Sequence, residues 1–386
     1  MMQKEPCHCK KNIISGVPNA CAFNSGDTSN LISCQLAAYN SRIAKKRLVL
    51  FSVIILLLLL CVFSAASGSI ALSVEDVAKT LLGKGSASEN TVLFGIRLPR
   101  IAAGILVGAA LAASGAVMQC VLHNPLASAS TLGVSQGAAF GAALGIIVFG
   151  GGVVNSGSSS AAIQVNNPYI VTLCAFVFGS LSTAVILILS QWKKSLGPAG
   201  LVLAGVALSS LFTGGSTLLQ YFADETKIGA VVFWTFGNLG SAGWREILAL
   251  LLVFAAAFLY FLLNRWNYNA MRSGPDTAKS LGVDARTVML ASMAICAFTT
   301  AAAVAFVGIV SFVGLVAPHM MRRFVGDDYR FLIPCSAAAG SLILVAADTF
   351  GRLILSPVIL PIGAITSFLG APTFLALLLK EAGRND

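Results

Sequence analysis

Ser135 stands between two glycines in Gly133-Val134-Ser135-Gln136-Gly137, the spacing of a hydrolase nucleophile elbow, in which a serine on a sharp strand-to-helix turn attacks a carbonyl. That chemistry needs a strand before the serine and a histidine and carboxylate beside it. Here the motif opens an apolar, helix-length run, and its glycines have another use. The three histidines, His8, His123 and His319, are too few and too scattered for a histidine metal site, and no His-Glu-x-x-His pair occurs. Cys7-His8-Cys9, with Cys21 and Cys34 downstream, follows no standard zinc spacing. Gly83-Lys84 lacks the earlier glycine of a phosphate-cradling loop, so if ATP drives this protein another chain binds it. No catalytic residue, metal ligand or cofactor is expected.

The elements that carry these residues are membrane spans. Of 386 residues 57% are hydrophobic and 10% charged, too little polar material to cover a soluble domain of this size. Each spanning helix takes about 20 apolar residues, which leaves room for about ten. The runs are Lys46–Gly68, Arg97–Leu122, Leu132–Phe149, Pro168–Gln191, Gly200–Phe222, Trp244–Leu263, Val288–Val307, Val310–Phe324, Phe331–Phe350 and Ile359–Lys380. Residues 1–45 read as a flexible cytoplasmic tail and residues 46–386 as one all-α, polytopic transmembrane domain. The first run is long enough to act as a start-and-stay anchor, with no cleavable signal peptide before it. Ser73-Val74-Glu75-Asp76 resembles a helix N-terminus. Ile228 to Phe236 is too short to cross and reads as interfacial or re-entrant.

The net charge of +10 does not call for nucleic acid, because the basic residues form no single stripe. With the N-terminus inside, eighteen of the 25 Lys and Arg fall on cytoplasmic segments, so both termini are expected in the cytoplasm. Gly133, Gly137, Gly141 and Gly145 recur every four residues and mark one helix face for close backbone packing. The run Val310–Phe324 is short and interrupted by Pro318, which is tolerated only where protein or a wet cavity covers the freed backbone. In the longest inner loop, Asp276 to Asp284 includes Asp276, Ala278, Lys279, Leu281 and Gly282 and reads either as a solvated connection or as a docking helix for a cytoplasmic partner. Asp348 and Arg352 lie four residues apart near an outer helix end. They make a plain ion pair or, with Arg97 and Arg100, a basic rim attractive to an acidic docking protein.

The chain from Arg47 onward resembles the FecCD-type permease subunits of bacterial ATP-binding cassette (ABC) importers for iron-siderophore complexes, haem and cobalamin. The likeness rests on Arg97-Leu98-Pro99-Arg100, Gly115-Ala116-Val117-Met118-Gln119, Asn124-Pro125-Leu126-Ala127, Leu132-Gly133-Val134-Ser135, Leu203-Ala204-Gly205, Phe312 to His319 with Arg322, Asp348 with Arg352, Leu360-Pro361-Ile362-Gly363 and Leu369-Gly370-Ala371-Pro372. It implies a type II importer architecture of ten helices in the cell membrane. It also implies a second permease subunit, identical or similar, two cytoplasmic ATPase subunits and an extracytoplasmic solute-binding protein. By the same resemblance Arg97, Arg100 and Arg352 meet acids of the binding protein, Asn124 and Leu126 line the cytoplasmic gate, and Asp276 to Asp284 is the coupling helix. The permease itself is non-catalytic. An ion-coupled transporter would place carboxylates near the bilayer midplane, and apart from Asp348 and Glu246, each close to an end of its run, the runs carry none. Among cargoes that share these motifs, a ferric siderophore is expected first, with cobalamin and haem as alternatives.

Overall fold

The computed structural model describes residues 28–68, 72–151, 153–154, 163–164, 168–192, 197–355 and 358–382. Cys7, His8, Cys9, Cys21, Lys193, Lys194 and part of the loop after Gly150 lie outside them. By its contacts the chain divides into residues 1–45 and residues 46–386. Fifteen α-helices are described: α1 (Thr28–Ala66), α2 (Val74–Leu81), α3 (Ala87–Val92), α4 (Leu98–Val121), α5 (Val134–Ile147), α6 (Pro168–Trp192), α7 (Pro198–Tyr221), α8 (Glu225–Phe236), α9 (Trp244–Leu263), α10 (Arg265–Arg272), α11 (Pro275–Ser280), α12 (Ala285–Val307), α13 (Val313–Val325), α14 (Tyr329–Leu353) and α15 (Ile362–Ala382). A two-residue antiparallel pair, Val153–Val154 with Ile163–Gln164, bridges the loop between α5 and α6.

The ten expected spans correspond to α1, α4, α5, α6, α7, α9, α12, α13, α14 and α15. Seven helices among the described residues are long and apolar enough to cross a bilayer, and α5, α13 and α15 are the shorter or Pro-containing members. α1 starts at Thr28, well ahead of the Lys46 expected, so the segment read as a flexible tail is helical over its last part. Ser73 caps α2 through a reciprocal box, its Oγ accepting from Asp76 N and its N donating to the Asp76 carboxylate. The segment expected from Ile228 to Phe236 is helical from Glu225 as α8, whose 12 residues are still too few to cross.

α4 is the axis of the bundle. Nearly all its residues are buried, and α14, α12, α13 and α9 pack round it. Lipid is as apolar as leucine, so such helices associate by close packing of small residues. A Cβ on Gly108 would collide with the Gly340 carbonyl of α14, and one on Gly115 with the Gly314 carbonyl of α13. α1 instead leaves Leu56, Leu58 and Leu59 exposed, as a helix bathed in lipid does. One end of the bundle carries α11 and the other carries Asp348; they serve below as the α11 end and the Asp348 end.

Two spans are helical over only half their length. The chain leaves α4 through His123, at φ 45°, and re-enters as residues 127–133 before α5 starts. It leaves α12 through Gly308, at φ 79°, and descends as residues 309–312 before α13 starts. Gly314 then faces Leu111 and Gly115, the middle of α4. The freed backbone groups find local partners: Ser128 N donates to Thr131 Oγ1 at 2.9 Å, Thr131 N to Ser128 Oγ at 3.2 Å, and Ser182 Oγ of α6 to Leu132 O at 2.8 Å.

Candidate functional site

The two breaks face one another across a cavity of about 220 Å³. Ser128, Ser130, Thr131 and Ser135 line it from one side, Ile309 to Phe312 from the other, with Gln136 and Thr300 between them. Of these hydroxyls sequence reading singled out Ser135, as a nucleophile candidate, and passed over Ser128, Ser130 and Thr131, which lie just past Pro125 and carry the signal. Ser135 Oγ donates to Ser130 Oγ at 3.1 Å, not to a histidine, and the cavity lining holds no acid, base or nucleophile pair. Such a lining offers hydroxyl donors and acceptors to polar groups. Beside it, α7 presents Ser210, Thr213 and Thr217 on an exposed face. Each hydroxyl donates to the carbonyl four residues back, at 3.1, 2.8 and 3.0 Å, which leaves its oxygen to accept from an outside donor.

The four glycines Gly133, Gly137, Gly141 and Gly145 set α5 against α6. A Cβ on Gly137 would lie 2.5 Å from Phe178 O, one on Gly141 would collide with Cys174 O, and one on Gly145 would lie 3.0 Å from Val171 Cα. Gly133 adds a backbone requirement, since its φ of 85° suits a residue without Cβ. The elbow motif is therefore a helix start built for packing.

At the Asp348 end, the arginines expected as a rim are turned inward. Arg97 and Arg100 are 5% and 8% exposed. Arg100 Nε donates to Asp348 Oδ1 and Oδ2 at 2.8 and 3.1 Å. Arg352 Nε donates to Asp348 Oδ2 at 3.1 Å, and its Nη2 to Ser64 Oγ at 2.6 Å. Arg97, at the end of a π-helical turn over Leu93–Arg97, donates to Ala65 O and Ala66 O at 2.6 and 3.1 Å. The plain Asp348–Arg352 pair is thus half of a buried cluster that closes the end of α1 onto α4 and α14. Arg100 and Arg352 share one carboxylate and Arg97 stands beside them on backbone carbonyls, so the four residues together carry a surplus of two positive charges.

At the α11 end, Asn124 Oδ1 accepts from Leu126 N at 2.9 Å. This side-chain turn fixes the loop and leaves Leu126 42% exposed. His123 Nε2 bonds Met271 O at 2.9 Å, tying the same loop to α10. α11 and the turn that follows it show Asp276, Lys279, Leu281 and Gly282 on the surface, and α11 buries Ala278 completely. It stops in a glycine-terminated motif, with Val283 N donating to Ala278 O at 2.9 Å and Gly282 at φ 78°. Nearby, Asp328 accepts from Arg330 and Asn269 and lies 3.4 Å from Lys46 Nζ. Burial would raise its pKa, but the Arg330 and Asn269 hydrogen bonds outweigh that and hold the carboxyl well below the usual range.

Residues 56–380 match the FecCD transport family. The chain is 48% identical over 337 residues to an ABC transporter permease protein of Methanocaldococcus jannaschii, which spans 87% of this chain and 95% of that one. It is 34% identical over 346 residues to the hemin transport system permease protein of Yersinia pestis, across 89% of this chain and 98% of the other. A solved metal-chelate type ABC transporter in an inward-facing conformation superimposes with a TM-score of 0.75 at 31% identity, over 86% of this chain and 98% of that chain. A half-helical pair of spans round a hydroxyl cavity, a bundle held by glycine contacts and this match over almost the whole membrane domain agree: the chain belongs to the FecCD transport family, as a membrane-spanning ABC-transporter permease.

Proposed function

We propose that the protein carries ferric-siderophore complexes inward across the cell membrane as the permease subunit of an ABC importer. ATP is hydrolysed on separate cytoplasmic subunits, and a second permease copy or a similar chain completes the pathway. The observation that carries the cargo choice is the uncharged, hydroxyl-lined cavity with the oxygen-bearing face of α7 beside it. Siderophores clothe their iron in amide, hydroxyl and carboxylate groups, and such a wall offers them many weak, exchangeable contacts. Haem is the second reading, favoured by the hemin transport of the Yersinia pestis relative, and cobalamin the third. The distribution of Lys and Arg supports the α11 end as cytoplasmic, with both termini there.

In this reading α11 seats in the ATPase, with Asp276, Ala278, Lys279, Leu281 and Gly282 as the coupling residues. Asn124 and Leu126 form the cytoplasmic gate. ATP-driven closure of the partner moves α11 and exchanges outward-open for inward-open packing. Cells lacking the chain should lose uptake of labelled ferric siderophore while labelled haem and cobalamin enter as before. Leu281→Ala should lower siderophore uptake about tenfold with unchanged permease in the membrane, since it removes the exposed apolar anchor. Loss of haem or cobalamin uptake instead would replace the cargo and keep the permease.

Binding-protein docking falls to the Arg97, Arg100 and Arg352 cluster. Because Asp348 occupies Arg100 and Arg352, the attraction comes from the cluster's surplus charge reaching outward through a low-dielectric bundle, not from a row of free side chains. The affinity of the solute-binding protein for the reconstituted importer should therefore fall steeply as salt rises from low to physiological strength. An affinity indifferent to salt would remove these arginines from docking.

A further inference from the structure

A second cavity, of about 270 Å³, lies at the foot of α4, where the ends of α10 and α13 meet the start of α14. Gln119 lines it and is 4% exposed. Its Oε1 accepts from Arg322 Nη2 at 3.0 Å, which fixes the orientation of the amide and turns Nε2 the other way. That nitrogen is buried and has no hydrogen-bond partner among the described residues. A buried donor left unmade is costly, so an acceptor from outside the chain belongs beside it.

The charges in the cavity specify the acceptor. Arg322 Nε meets Asp327 Oδ1 at 2.8 Å and Arg272 Nη2 meets Asp327 Oδ2 at 3.2 Å. Both carboxylate oxygens are engaged, and two guanidiniums against one carboxylate leave one positive charge over. A water molecule would satisfy the amide and leave that charge; a carboxylate answers both. Arg272 stands three residues before Pro275, the first residue of α11, and its side chain is 57% exposed. Whatever covers α11 therefore covers the mouth of the cavity.

We propose that this cavity receives a carboxylate side chain of the ATP-hydrolysing subunit, held by Gln119 Nε2 and the Arg272 and Arg322 guanidiniums. The inference rests on the reading of α11 as the seat of that subunit, and it gives the partner a second grip. Through Gln119 and Arg322 the grip acts on α4 and α13, and the same cavity is lined by His123 and Asn124 of the gate turn. Movement of the ATPase would then reach the gate without passing through α11.

The test is the affinity of the ATPase subunit for the full permease in nanodiscs, measured across a salt series. Gln119→Glu keeps an acceptor for Arg322, replaces the donor by an oxygen and cancels the surplus charge. It should weaken binding about tenfold and flatten the salt dependence, whereas Leu281→Ala should weaken binding and leave the salt slope as it was. Weakening by Leu281→Ala with no effect of Gln119→Glu would overturn the cavity proposal and leave the α11 reading standing; no effect of either would overturn both. If Gln119→Glu fails to assemble, Arg272→Gln at its exposed position removes the same charge and must flatten the slope. Unchanged affinity, together with a phosphate-dependent rise in the melting temperature of the isolated permease that Gln119→Glu abolishes, would assign the cavity to a soluble anion and overturn the partner.

Discussion

Asp348→Asn should destabilise the permease by about 3–5 kcal/mol, the range for breaking a buried charge pair by removing one partner. The change keeps the size of the side chain and one acceptor oxygen but removes the charge that two arginines share. The side chains of Asp348, Arg100 and Arg352 are 4%, 9% and 11% exposed, so solvent cannot replace it. Ser64 Oγ and the Ser67 carbonyl still hold Arg352, whereas the hydrogen bonds of Arg100 recorded in the structure all go to Asp348. Removing Arg100 as well, as Arg100→Met with Asp348→Asn, should recover part of the loss, because the stranded cation goes with its partner. Thermal unfolding of the detergent-purified chain reads both. A single variant that melts with the parent protein would mean that this cluster does not hold α1 to α4 and α14.

Gly141→Leu should abolish assembly of the permease. At that position even a Cβ runs into the Cys174 carbonyl of α6, and backbone cannot step aside as a flexible side chain does. Adding one methyl, in Gly141→Ala, should cost about 1–3 kcal/mol and lower the amount of folded protein. The leucine would force α5 and α6 apart along their whole contact. Gly95, whose added Cβ meets nothing within 4 Å, is the matched control: Gly95→Ala should express as the parent does. Size-exclusion profiles of the three variants extracted from membranes decide the matter. A monodisperse Gly141→Leu peak at the parent position would show that the glycine face does not set the helix spacing.

The parts of the fold that depend on local sequence were legible. Apolar runs of bilayer length gave the spans, the four-residue glycine spacing gave the face of α5, and Ser73 with Asp76 gave the start of α2. The cluster at Asp348 was legible in composition and not in form. Nothing along the chain says that Arg100 will meet a carboxylate 248 residues away, and exposed arginines near a helix end look like a rim until packing turns them inward. The half-helical spans were visible only at Pro318. Their parts outside the α-helix, residues 127–133 with a 3-10 turn at Ser130–Leu132 and residues 309–312, are as apolar as helix in places, as at Ile309-Val310, and hydropathy does not separate the two. The hydroxyl cavity is a product of those two segments facing one another beside α4, a long-range relation that no window of sequence contains.

Phe312, a bulky residue held at φ 63°, marks where the descending segment turns into α13. An unbroken helix moves as a rod, so tilting one end displaces the other through the full thickness of the membrane. In α13 and α5 the rod ends halfway. Rotation about a few backbone bonds at 309–312 or 127–133 can reorient the half-spans separately, without breaking a ladder of helix hydrogen bonds. The permease can thus widen on one side of the midplane while the other stays closed, a freedom that ten continuous helices would not give it.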